Sequence, residues 1–496
     1  MPDKRPNILL IMTDQQRGDC LGIEGHPVLQ TPNLDYMAAS GVRFRHAYSA
    51  CPVCVPARRT VITGRKPSNH GALQNAQAPL PWPTLPGVLR DAGYRTHLSG
   101  KAHWGPPARA LGFDSAEWAD SPISGVDNDY QKYVRENGAA WHRASDAHGM
   151  YSNGFPGRPW HLDEHLHFTN WCTQKGLEFI DSQRGDQPWF LAVNFIHPHQ
   201  PVTPPVHYFD KYMAMDLPEP YVGDWARVFD GPVRGLQPEC WRLCLDPPVM
   251  KATRAGYYGC VEHIDHQIAR LVSGRVLPDN TIVVFASDHG EMLGDHQWLR
   301  KRNPFEPSAR VPLLMKFPDG LGLPQEQVIE RPVELMDIMP TLLDAVGVPI
   351  PDTVDGESVL PIIRDSQAEW RDYVHGECAS VPTSNSGMQY VTDGKRKFAY
   401  LPGQGRELFF DVENDPCEMT NLADDPGWAD EIAMWRSRLI GELVGRPEGF
   451  TDGEQLLVKD GPTAGKIPVW GRSRPRGTSE AGYEVLDQNW RVSSGE

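Results

Sequence analysis

Short runs of apolar residues recur along the chain, and each is about as long as a buried β-strand. They are "NILLIM" (residues 7–12), "WFLAVNFI" (189–196), "TIVVFAS" (281–287) and "VPLLMKF" (311–317). Strands that are apolar on both faces are typical of a parallel sheet covered by helices on each side. Helix-like amphipathic stretches, such as residues 33–39 and 84–92, lie between the runs. This alternation predicts an α/β sandwich.

The pattern changes after about residue 365. The stretch "GMQYVTDGKRKFAYLPGQGRELFFDVENDP" alternates short strands with Asp-Gly and Gly-Gln-Gly turns, as antiparallel hairpins do, and a helix-like segment follows at 429–444. We therefore predict a main domain at 1–365 and a C-terminal antiparallel sheet with a helix at 366–445. Residues 446–496 are rich in Gly, Pro, Arg and Ser, which predicts an arm packed on the body or on a neighbouring subunit.

Composition and charge narrow the class of protein. The 496 residues, of which 40% are hydrophobic, are enough for a large core and a second domain. A net charge of −16 argues against nucleic acid and anionic membranes as partners, because both need basic faces. The apolar run near the N-terminus is too short for a secretion signal. We expect a cytoplasmic protein with nine free cysteines.

Two acidic pairs follow predicted strands. Asp14-Gln15 comes after the first strand, and Asp288-His289 comes after "TIVVFAS". The carboxyl ends of parallel strands are the usual place for a site in an open α/β sheet. Either pair alone would be interpreted as a turn former or a helix cap. Together they offer carboxylate, amide and imidazole ligands, which suit Ca²⁺, Mg²⁺ or Mn²⁺.

The stretch "ACPVCVPARRTVITG" allows three interpretations of its cysteines. Cys51 and Cys54 could form a redox pair or half of a zinc site, or Cys54 could be a nucleophile precursor in a C-x-P-x-R pattern. The following proline and Gly64 predict a short helix at 56–63, whose N-terminus favours an anion. Arg58 adds a bidentate donor for the same anion. No second ligand pair supports zinc, and Cys51 is interpreted as an ordinary buried thiol.

These motifs together resemble one family. "CVPARRTVITG" resembles the sulfatase signature, whose C-x-P-x-R core is recognised by the formylglycine-generating system. Four further segments resemble the family's two metal loops and its G-K-x-H and P-H-x-P elements: "NILLIMTDQQ", "FASDHGEMLGDHQWLRKRNPFEPSARVPLL", "GYRTHLSGKAHWG" and "NFIHPHQPVTPP". The chain is identified as a member of the alkaline-phosphatase-like sulfatase superfamily. That implies a large mixed, mostly parallel sheet sandwiched by helices, with a smaller C-terminal α+β domain.

The resemblance also implies a cofactor chemistry. Cys54 would be oxidised to formylglycine, an aldehyde that hydrates to a geminal diol and attacks sulfur. The formylglycine-generating enzyme would be a partner during maturation. One divalent cation, Ca²⁺ first and Mn²⁺ or Mg²⁺ as alternatives, would be held by a set of five residues: Asp14, Gln15, Cys54, Asp288 and His289.

The remaining polar residues of the motifs would act on the substrate. Three are expected to hold the sulfate: Lys101, His199 and Lys301. Of these, His199 or Lys301 would protonate the leaving oxygen, while His103 would assist the breakdown of the covalent intermediate and Arg58 would hold the diol. Asn75, in "NHGALQN", is either a substrate contact or a turn residue. Without the motifs, the histidines would be interpreted as structural and the lysines as solvated surface residues.

The resemblance predicts hydrolysis of a small sulfate monoester by a homo-oligomer. The alternative is a phosphonate monoester or phosphodiester hydrolase, because Asp14-Gln15 and Asp288-His289 resemble a branch that includes such enzymes beside choline sulfatases and arylsulfatases. The phosphonate hydrolases replace the G-K-x-H element with Tyr and Thr, whereas Lys101 and His103 are intact here. A catalytically silent relative would be expected to have lost Cys54 or a metal ligand, and none is missing.

Overall fold

The structure, a computed structural model, describes residues 5–75, 79–104, 111–119, 128–138, 150, 153–234, 236, 240–379 and 387–459. Fourteen strands are formed there: β1 (Asn7–Asp14), β2 (Val42–Phe44), β3 (Ala47–Tyr48), β4 (Arg95–Lys101), β5 (Ser115–Ala119), β6 (Trp189–Pro198), β7 (Thr281–Ser287), β8 (Leu313–Lys316), β9 (Gln327–Ile329), β10 (Val333–Glu334), β11 (Val374–Cys378), β12 (Met388–Thr392), β13 (Arg396–Leu401) and β14 (Arg406–Asp411).

Twelve α-helices lie in the same described part of the chain. They are α1 (Pro32–Ser40), α2 (Cys54–Thr63), α3 (Pro67–His70), α4 (Leu85–Asp91), α5 (Asp129–Glu136), α6 (Phe168–Ser182), α7 (Val206–Met213), α8 (Pro247–Val272), α9 (Glu306–Ala309), α10 (Ile338–Ala345), α11 (Leu360–Arg364) and α12 (Ala429–Leu443). The helices predicted at 33–39, 84–92 and 429–444 are confirmed within one residue at each end. The helix predicted at 56–63 begins two residues earlier than expected, at Cys54 itself.

The large sheet has eight strands in the order β5-β4-β6-β1-β7-β8-β2-β9. The five strands from β5 to β7 are parallel to their neighbours. β8 is antiparallel to both β7 and β2, whereas β9 pairs with β2 in parallel. The predicted mixed, mostly parallel sheet is therefore confirmed.

The strand predicted at 311–317 was expected in the parallel part of the sheet, and this was wrong. It is shorter than expected and runs antiparallel to β7. A parallel return needs a crossover connection, usually a helix packed on the sheet. The described connection between β7 and β8 contains only a three-residue 3-10 helix (Asp295–Gln297) and the four-residue α9, so the chain returns without a helix long enough to cross the sheet.

Both faces of the sheet are covered, which explains the apolar runs. In β1, Ile8 and Leu10 belong to one core and Leu9 and Ile11 to the other. Residues of α2, α4, α10 and α11 complete the first core, and residues of α1, α5, α6 and α8 complete the second. Successive side chains of a strand point to opposite faces, so a doubly covered strand is apolar at every position.

The smaller sheet is antiparallel, in the order β11-β12-β13-β14, as the hairpin signals predict. One face packs against α12. The other face shares a core with Cys51 and Val53, which lie in the segment directly before Cys54, and with Met292 and Phe305, which lie on either side of Lys301. The sheet therefore supports the two loops that carry these residues. The predicted domain boundary at 365 falls between α11 and β11 and stays a prediction.

A cluster of buried ion pairs also stabilises the contact between the C-terminal sheet and the main domain. Lys397 of β13 donates to Glu306 (2.7 Å) and to Glu418 (2.9 Å), and all three side chains are buried. Tyr48 donates to the same Glu306 oxygen at 2.9 Å. Two buried carboxylates are tolerated here because the Lys397 ammonium group serves both and Arg310 Nε also pairs with Glu306 at 3.0 Å.

Three further expectations concern the cysteines, the membrane and the arm. All nine cysteines lie in the described residues and are free, as predicted. No helix among the described residues is long and apolar enough to cross a membrane. Of the arm predicted at 446–496, residues 460–496 lie outside the described residues.

Candidate active site

Four adjacent parallel strands end at one edge of the large sheet, and each ends at a polar residue or is followed by one. β4 ends at Lys101, β6 ends directly before His199, β1 ends at Asp14, and β7 ends directly before Asp288. The order β4-β6-β1-β7 makes these strands neighbours. The sheet topology therefore brings together residues that are up to 274 positions apart in the chain, as between Asp14 and Asp288.

Helix α2 points its N-terminus at this edge and supplies Cys54 and Arg58. The guanidinium group of Arg58 is fully buried and bridges two carboxylates. Its Nε donates to Asp288 Oδ2 at 2.9 Å, and its Nη2 donates to Asp14 Oδ2 at 3.1 Å. Lys101 also donates to the Asp14 carboxylate through its Nζ. The two acidic residues are thus held by two cations from different elements.

The thiol of Cys54 lies at the centre of the group. Its Sγ is 3.0 Å from Lys301 Nζ, 3.3 Å from His289 Nε2 and 3.8 Å from Asp14 Oδ1. His103 and His199 are hydrogen-bonding neighbours of the same sulfur. Because cations and imidazoles surround this sulfur, the position favours an anionic or electron-rich atom.

Burial and the close approach of charged groups shift the pKa values of the site residues. Burial raises the pKa of the Cys54 thiol, but the ammonium groups of Lys301 and Lys101 outweigh it and hold that pKa well below its ordinary value. Burial also acts to raise the pKa of Asp14, yet the cations around it, Lys101 first, hold that pKa far below the usual range. Burial and the neighbouring Asp14 charge raise the pKa of Asp288 to about 6. Of the two carboxyl groups, Asp288 is thus the one that retains a proton more readily.

The donor atoms fit a divalent cation. Four residues offer ligand atoms that all lie within 4.8 Å of one another: Asp14, Cys54, Asp288 and His289. The Nδ1 of His289 hydrogen-bonds the Gly290 carbonyl oxygen at 3.0 Å, so its Nε2 is turned toward the group. Burial opposes the charged form of His289, but Asp288 outweighs it and raises the pKa of the ring. A bound cation would relieve the repulsion between the two buried carboxylates.

The fifth predicted ligand, Gln15, lies at the same place. Its backbone is in the left-handed region (φ 74°), which is uncommon for a residue with a side chain. Its Oε1 accepts a hydrogen bond from Lys301 Nζ at 2.8 Å. Its Nε2 donates to Gln200 Oε1 at 2.7 Å and to the carboxylate of Glu291. The amide oxygen is therefore the atom that Gln15 turns toward the Cys54 side of the site.

Gln200 and Glu291 were not predicted as site residues. Both are buried and hydrogen-bonded to Gln15. The signals that could have found them are weak: Gln200 directly follows His199, and Glu291 is two residues after His289. A polar residue beside a predicted ligand is common in loops, so position alone does not distinguish such partners.

Cys51 and Asn75, which lie near helix α2, make contacts of a structural kind. The Sγ of Cys51 contacts the carbonyl oxygen of Leu73 at 3.7 Å, and the Sγ of Cys378 contacts the same oxygen at 3.7 Å. Cys51 is therefore a buried thiol, as interpreted from the sequence, and is free. Asn75 accepts the backbone N–H of Val55 at 3.0 Å, next to Cys54. Its predicted contact with substrate stays a prediction.

Most of the predicted site residues converge on one place. The group around Cys54 contains Asp14, Gln15, Arg58, Lys101, His103, His199, Asp288, His289 and Lys301. Their individual catalytic roles stay predictions. Sulfur is the atom at the centre here, and it marks the place where the oxygen of a formylglycine at position 54 would lie.

Comparison with known proteins gives a consistent result. The family model described as Sulfatase matches residues 6–348, and the model described as N-sulphoglucosamine sulphohydrolase, C-terminal, matches residues 294–443. The chain is 39% identical to an arylsulfatase of Clostridium perfringens, over 91% of this chain and 97% of the relative. It is 31% identical to a choline-sulfatase of Rhizobium meliloti, over 86% of this chain and 84% of the relative.

A solved structure supports the same fold. The phosphonate monoester hydrolase of Agrobacterium radiobacter superposes with a TM-score of 0.74 at 26% sequence identity. The match covers 88% of this chain and 95% of the other.

The raised pKa of Asp288 predicts pH-dependent cation binding. Folding favours the protonated carboxyl, so its contribution to stability is present below about pH 4 and is lost as pH rises through about 6. A cation binds the ionised form. The rise in melting temperature on adding Ca²⁺ or Mn²⁺ to chelator-treated protein should therefore grow between about pH 4 and 7. His289 acts in the same direction, since its ring must be neutral to bind.

Asp288→Asn is the matched variant for this measurement. It removes one anionic ligand and the titrating group, so the cation-induced rise in melting temperature should be smaller and its pH dependence flatter. An equal rise at all pH values in the unaltered protein would contradict the assignment of Asp288 as a ligand.

Proposed function

This chain belongs to the sulfatase family and is a sulfuric ester hydrolase, and we propose that it cleaves a small sulfate monoester with formylglycine made from Cys54 as the nucleophile. The observation that carries the proposal is the position of Cys54. The residue begins a buried helix, and its Sγ lies within 3.8 Å of a lysine ammonium, an imidazole and a carboxylate. No ordinary structural role of a cysteine requires such surroundings.

Formylglycine supplies, as its hydrated aldehyde, an oxygen nucleophile for sulfur, and the aldehyde can re-form when sulfate leaves. Arg58 lies one helical turn after Cys54, against both carboxylates. It holds Asp14 and Asp288 in place and adds positive charge at the base of the site. Formylglycine-generating enzyme is the proposed partner in maturation.

We propose one divalent cation held by Asp14, Gln15, position 54, Asp288 and His289, with Ca²⁺ first and Mn²⁺ or Mg²⁺ as alternatives. Carboxylate and amide oxygens favour a hard cation, and the imidazole is compatible with Mn²⁺. When bound, such a cation acts as a Lewis acid on the ester oxygens and on the nucleophile.

Cationic side chains hold the sulfate. Lys101 donates to Asp14, and Lys301 lies against the Cys54 sulfur. In a protein of net charge −16, these two ammonium groups and Arg58 provide the local positive field that an anionic substrate needs. His103 is a hydrogen-bonding neighbour of the Cys54 sulfur, with φ 50°. Its proposed role is to assist the breakdown of the covalent intermediate by taking a proton from the second hydroxyl.

Two residues compete for the role of general acid. The Nδ1 of His199 hydrogen-bonds the Gln200 carbonyl oxygen at 2.7 Å, which leaves Nε2 toward the site. Burial and the nearby Lys301 charge lower the pKa of His199, so its protonated form is a stronger acid than an ordinary imidazolium but is less populated. Lys301 lies at 3.0 Å from the Cys54 sulfur and is the other candidate.

The cytoplasm is the proposed location. Nine free cysteines, most of them buried, support it, because thiols stay reduced there. A homo-oligomer remains the expected assembly.

Replacement of the nucleophile tests the proposal. Cys54→Ala should lower kcat/KM for nitrophenyl sulfate by about 10⁴-fold or more, since the attacking oxygen is lost. Cys51→Ala, a matched buried cysteine three residues away, should stay close to the unaltered protein. The peptide with residue 54 should be lighter by about 18 Da than the thiol form, as the change from thiol to aldehyde requires. An unmodified thiol in fully active enzyme, or an active Cys54→Ala variant, would refute the proposal.

The alternative substrate class is a phosphonate monoester or phosphodiester. It is favoured by the likeness to the phosphonate monoester hydrolase of Agrobacterium radiobacter. Intact Lys101 and His103 favour the sulfate ester. We therefore expect kcat/KM for the sulfate ester of a given phenol to exceed that for its phenyl phosphonate ester. Using the same phenol in both substrates keeps the leaving group constant, and the reverse order would assign the chain to the alternative.

Leaving-group dependence identifies the general acid. Alkyl sulfates need protonation of the departing oxygen far more than nitrophenyl sulfate does, and a general acid typically contributes roughly 10²–10⁴-fold. If His199 is the acid, His199→Ala should lower kcat/KM for the alkyl ester by about that factor more than for nitrophenyl sulfate. If the acid is Lys301, the selective loss should appear in Lys301→Ala. Equal losses in all four measurements would show that neither residue is the acid.

A further inference from the structure

Glu291 is a fully buried carboxylate whose hydrogen bonds all come from N–H donors. Its Oε2 accepts from Gln200 Nε2 at 2.7 Å and from Gln15 Nε2. Its Oε1 accepts the backbone N–H of Leu293 at 2.9 Å and that of Arg300. Within the part of the chain that the structure describes, no cationic side chain pairs with it; the nearby Arg17 contacts only its backbone carbonyl, at 3.3 Å.

A carboxylate can only accept hydrogen bonds, and this fixes the amide beside it. Gln15 must turn its NH₂ group toward Glu291, because its carbonyl oxygen would meet a second oxygen there. The second hydrogen of that NH₂ group goes to Gln200 Oε1 at 2.7 Å. The Oε1 of Gln15 is consequently directed to Lys301 Nζ, at 2.8 Å, and to the side of the site where Cys54 lies.

The opposite orientation of the amide would harm the site. A flipped Gln15 would place its NH₂ group against the ammonium group of Lys301 and against a divalent cation, which needs an oxygen donor. Glu291 and Lys301 thus favour the same orientation of the Gln15 amide, Glu291 by accepting from its NH₂ group and Lys301 by donating to its oxygen.

The other oxygen of Glu291 acts on the loop that carries Lys301. It joins the backbone N–H groups of Leu293 and Arg300, and Met292 N–H donates to the Arg300 carbonyl oxygen at 2.7 Å. Arg300, directly before Lys301, is in the left-handed region with φ 70°. One carboxylate therefore ties together Gln15 of the first metal loop and the segment leading to Lys301.

We propose that Glu291 is a positioning residue, which holds the Gln15 amide with its oxygen toward the cation site. The inference rests on the proposed function, since that function includes the cation and Gln15 as its ligand. Residues that orient metal ligands typically contribute about 10–100-fold to metal affinity.

The test exchanges the carboxylate of Glu291 and the amide of Gln15 between the two positions. Glu291→Gln lets the new side chain donate to the Gln15 oxygen, which turns the Gln15 NH₂ toward the cation. The double variant Gln15→Glu/Glu291→Gln restores an oxygen on that side, because the carboxylate at position 15 accepts from the amide at 291 with one oxygen and offers the other. Glu334→Gln is the matched control, since Glu334 is a buried glutamate whose carboxylate accepts the backbone N–H of His375 at 3.2 Å, outside the Cys54 group.

Ca²⁺ affinity of the chelator-treated, full-length protein is measured by calorimetry, independently of turnover. We expect Glu291→Gln to weaken binding about 10–100-fold, the double variant to recover most of the loss, and Glu334→Gln to bind as the unaltered protein does. A purely structural role for Glu291 would not be rescued by a change at position 15.

Other results would overturn the proposal in distinguishable ways. Unchanged affinity in Glu291→Gln would refute the positioning role and leave the proposed function intact. Weak Ca²⁺ binding by both Glu291→Gln and the double variant would show that Glu291 acts only on the loop that leads to Lys301. It would refute the proposed orientation of Gln15 by Glu291. No Ca²⁺ or Mn²⁺ binding by the unaltered protein would refute the cation in the proposed function as well. If the Glu291→Gln single variant does not fold, the Ca²⁺ affinity of the double variant is the deciding measurement. A double variant that folds but does not bind Ca²⁺ would refute the proposal.

Discussion

Asp14 and Asp288 lie side by side at the ends of β1 and β7, and neither carboxylate is exposed to solvent. Two buried like charges at this separation are strongly unfavourable unless positive charge is brought to them. The arrangement of the surrounding residues follows from that requirement. Arg58 bridges the pair from α2, and Lys101 reaches Asp14 from β4. Burial and the Asp14 charge still raise the pKa of Asp288.

The same requirement makes the site suitable for an anionic ester. Positive groups that neutralise the carboxylates also surround position 54, where they lower the pKa of the thiol. The protein as a whole is acidic, so the attraction for an anion has to be local. Burial strengthens it, because charges interact more strongly away from water. A site that must hold two carboxylates thus also becomes one that favours a negatively charged substrate and nucleophile.

The positions of Cys54 and Lys301 at this edge of the large sheet depend on packing against the C-terminal sheet. The C-terminal sheet packs one face on α12 and the other on the segments next to Cys54 and Lys301. Lys397 adds buried ion pairs to that contact. Glu291 fixes the loop before Lys301 through two backbone N–H groups. Lys301 therefore depends on contacts from both sheets, although it lies far in sequence from β11 to β14.

The sequence by itself determined the α/β sandwich and the C-terminal antiparallel sheet, because doubly buried strands are apolar throughout. Asp14 and Asp288 were found because they directly follow such strands, whereas Lys101, His103, His199 and Lys301 were predicted from motifs that resemble those of sulfatases. Only the tertiary structure decided that β8 runs antiparallel, that Cys51 lies beside Cys378, and that Glu291 and Gln200 hold Gln15. Strand direction depends on how the connection crosses the sheet, and the partners of an amide or a thiol are chosen across long sequence separations. A local sequence pattern predicts neither the strand direction nor these partners, because the groups in contact come together only when the chain is folded.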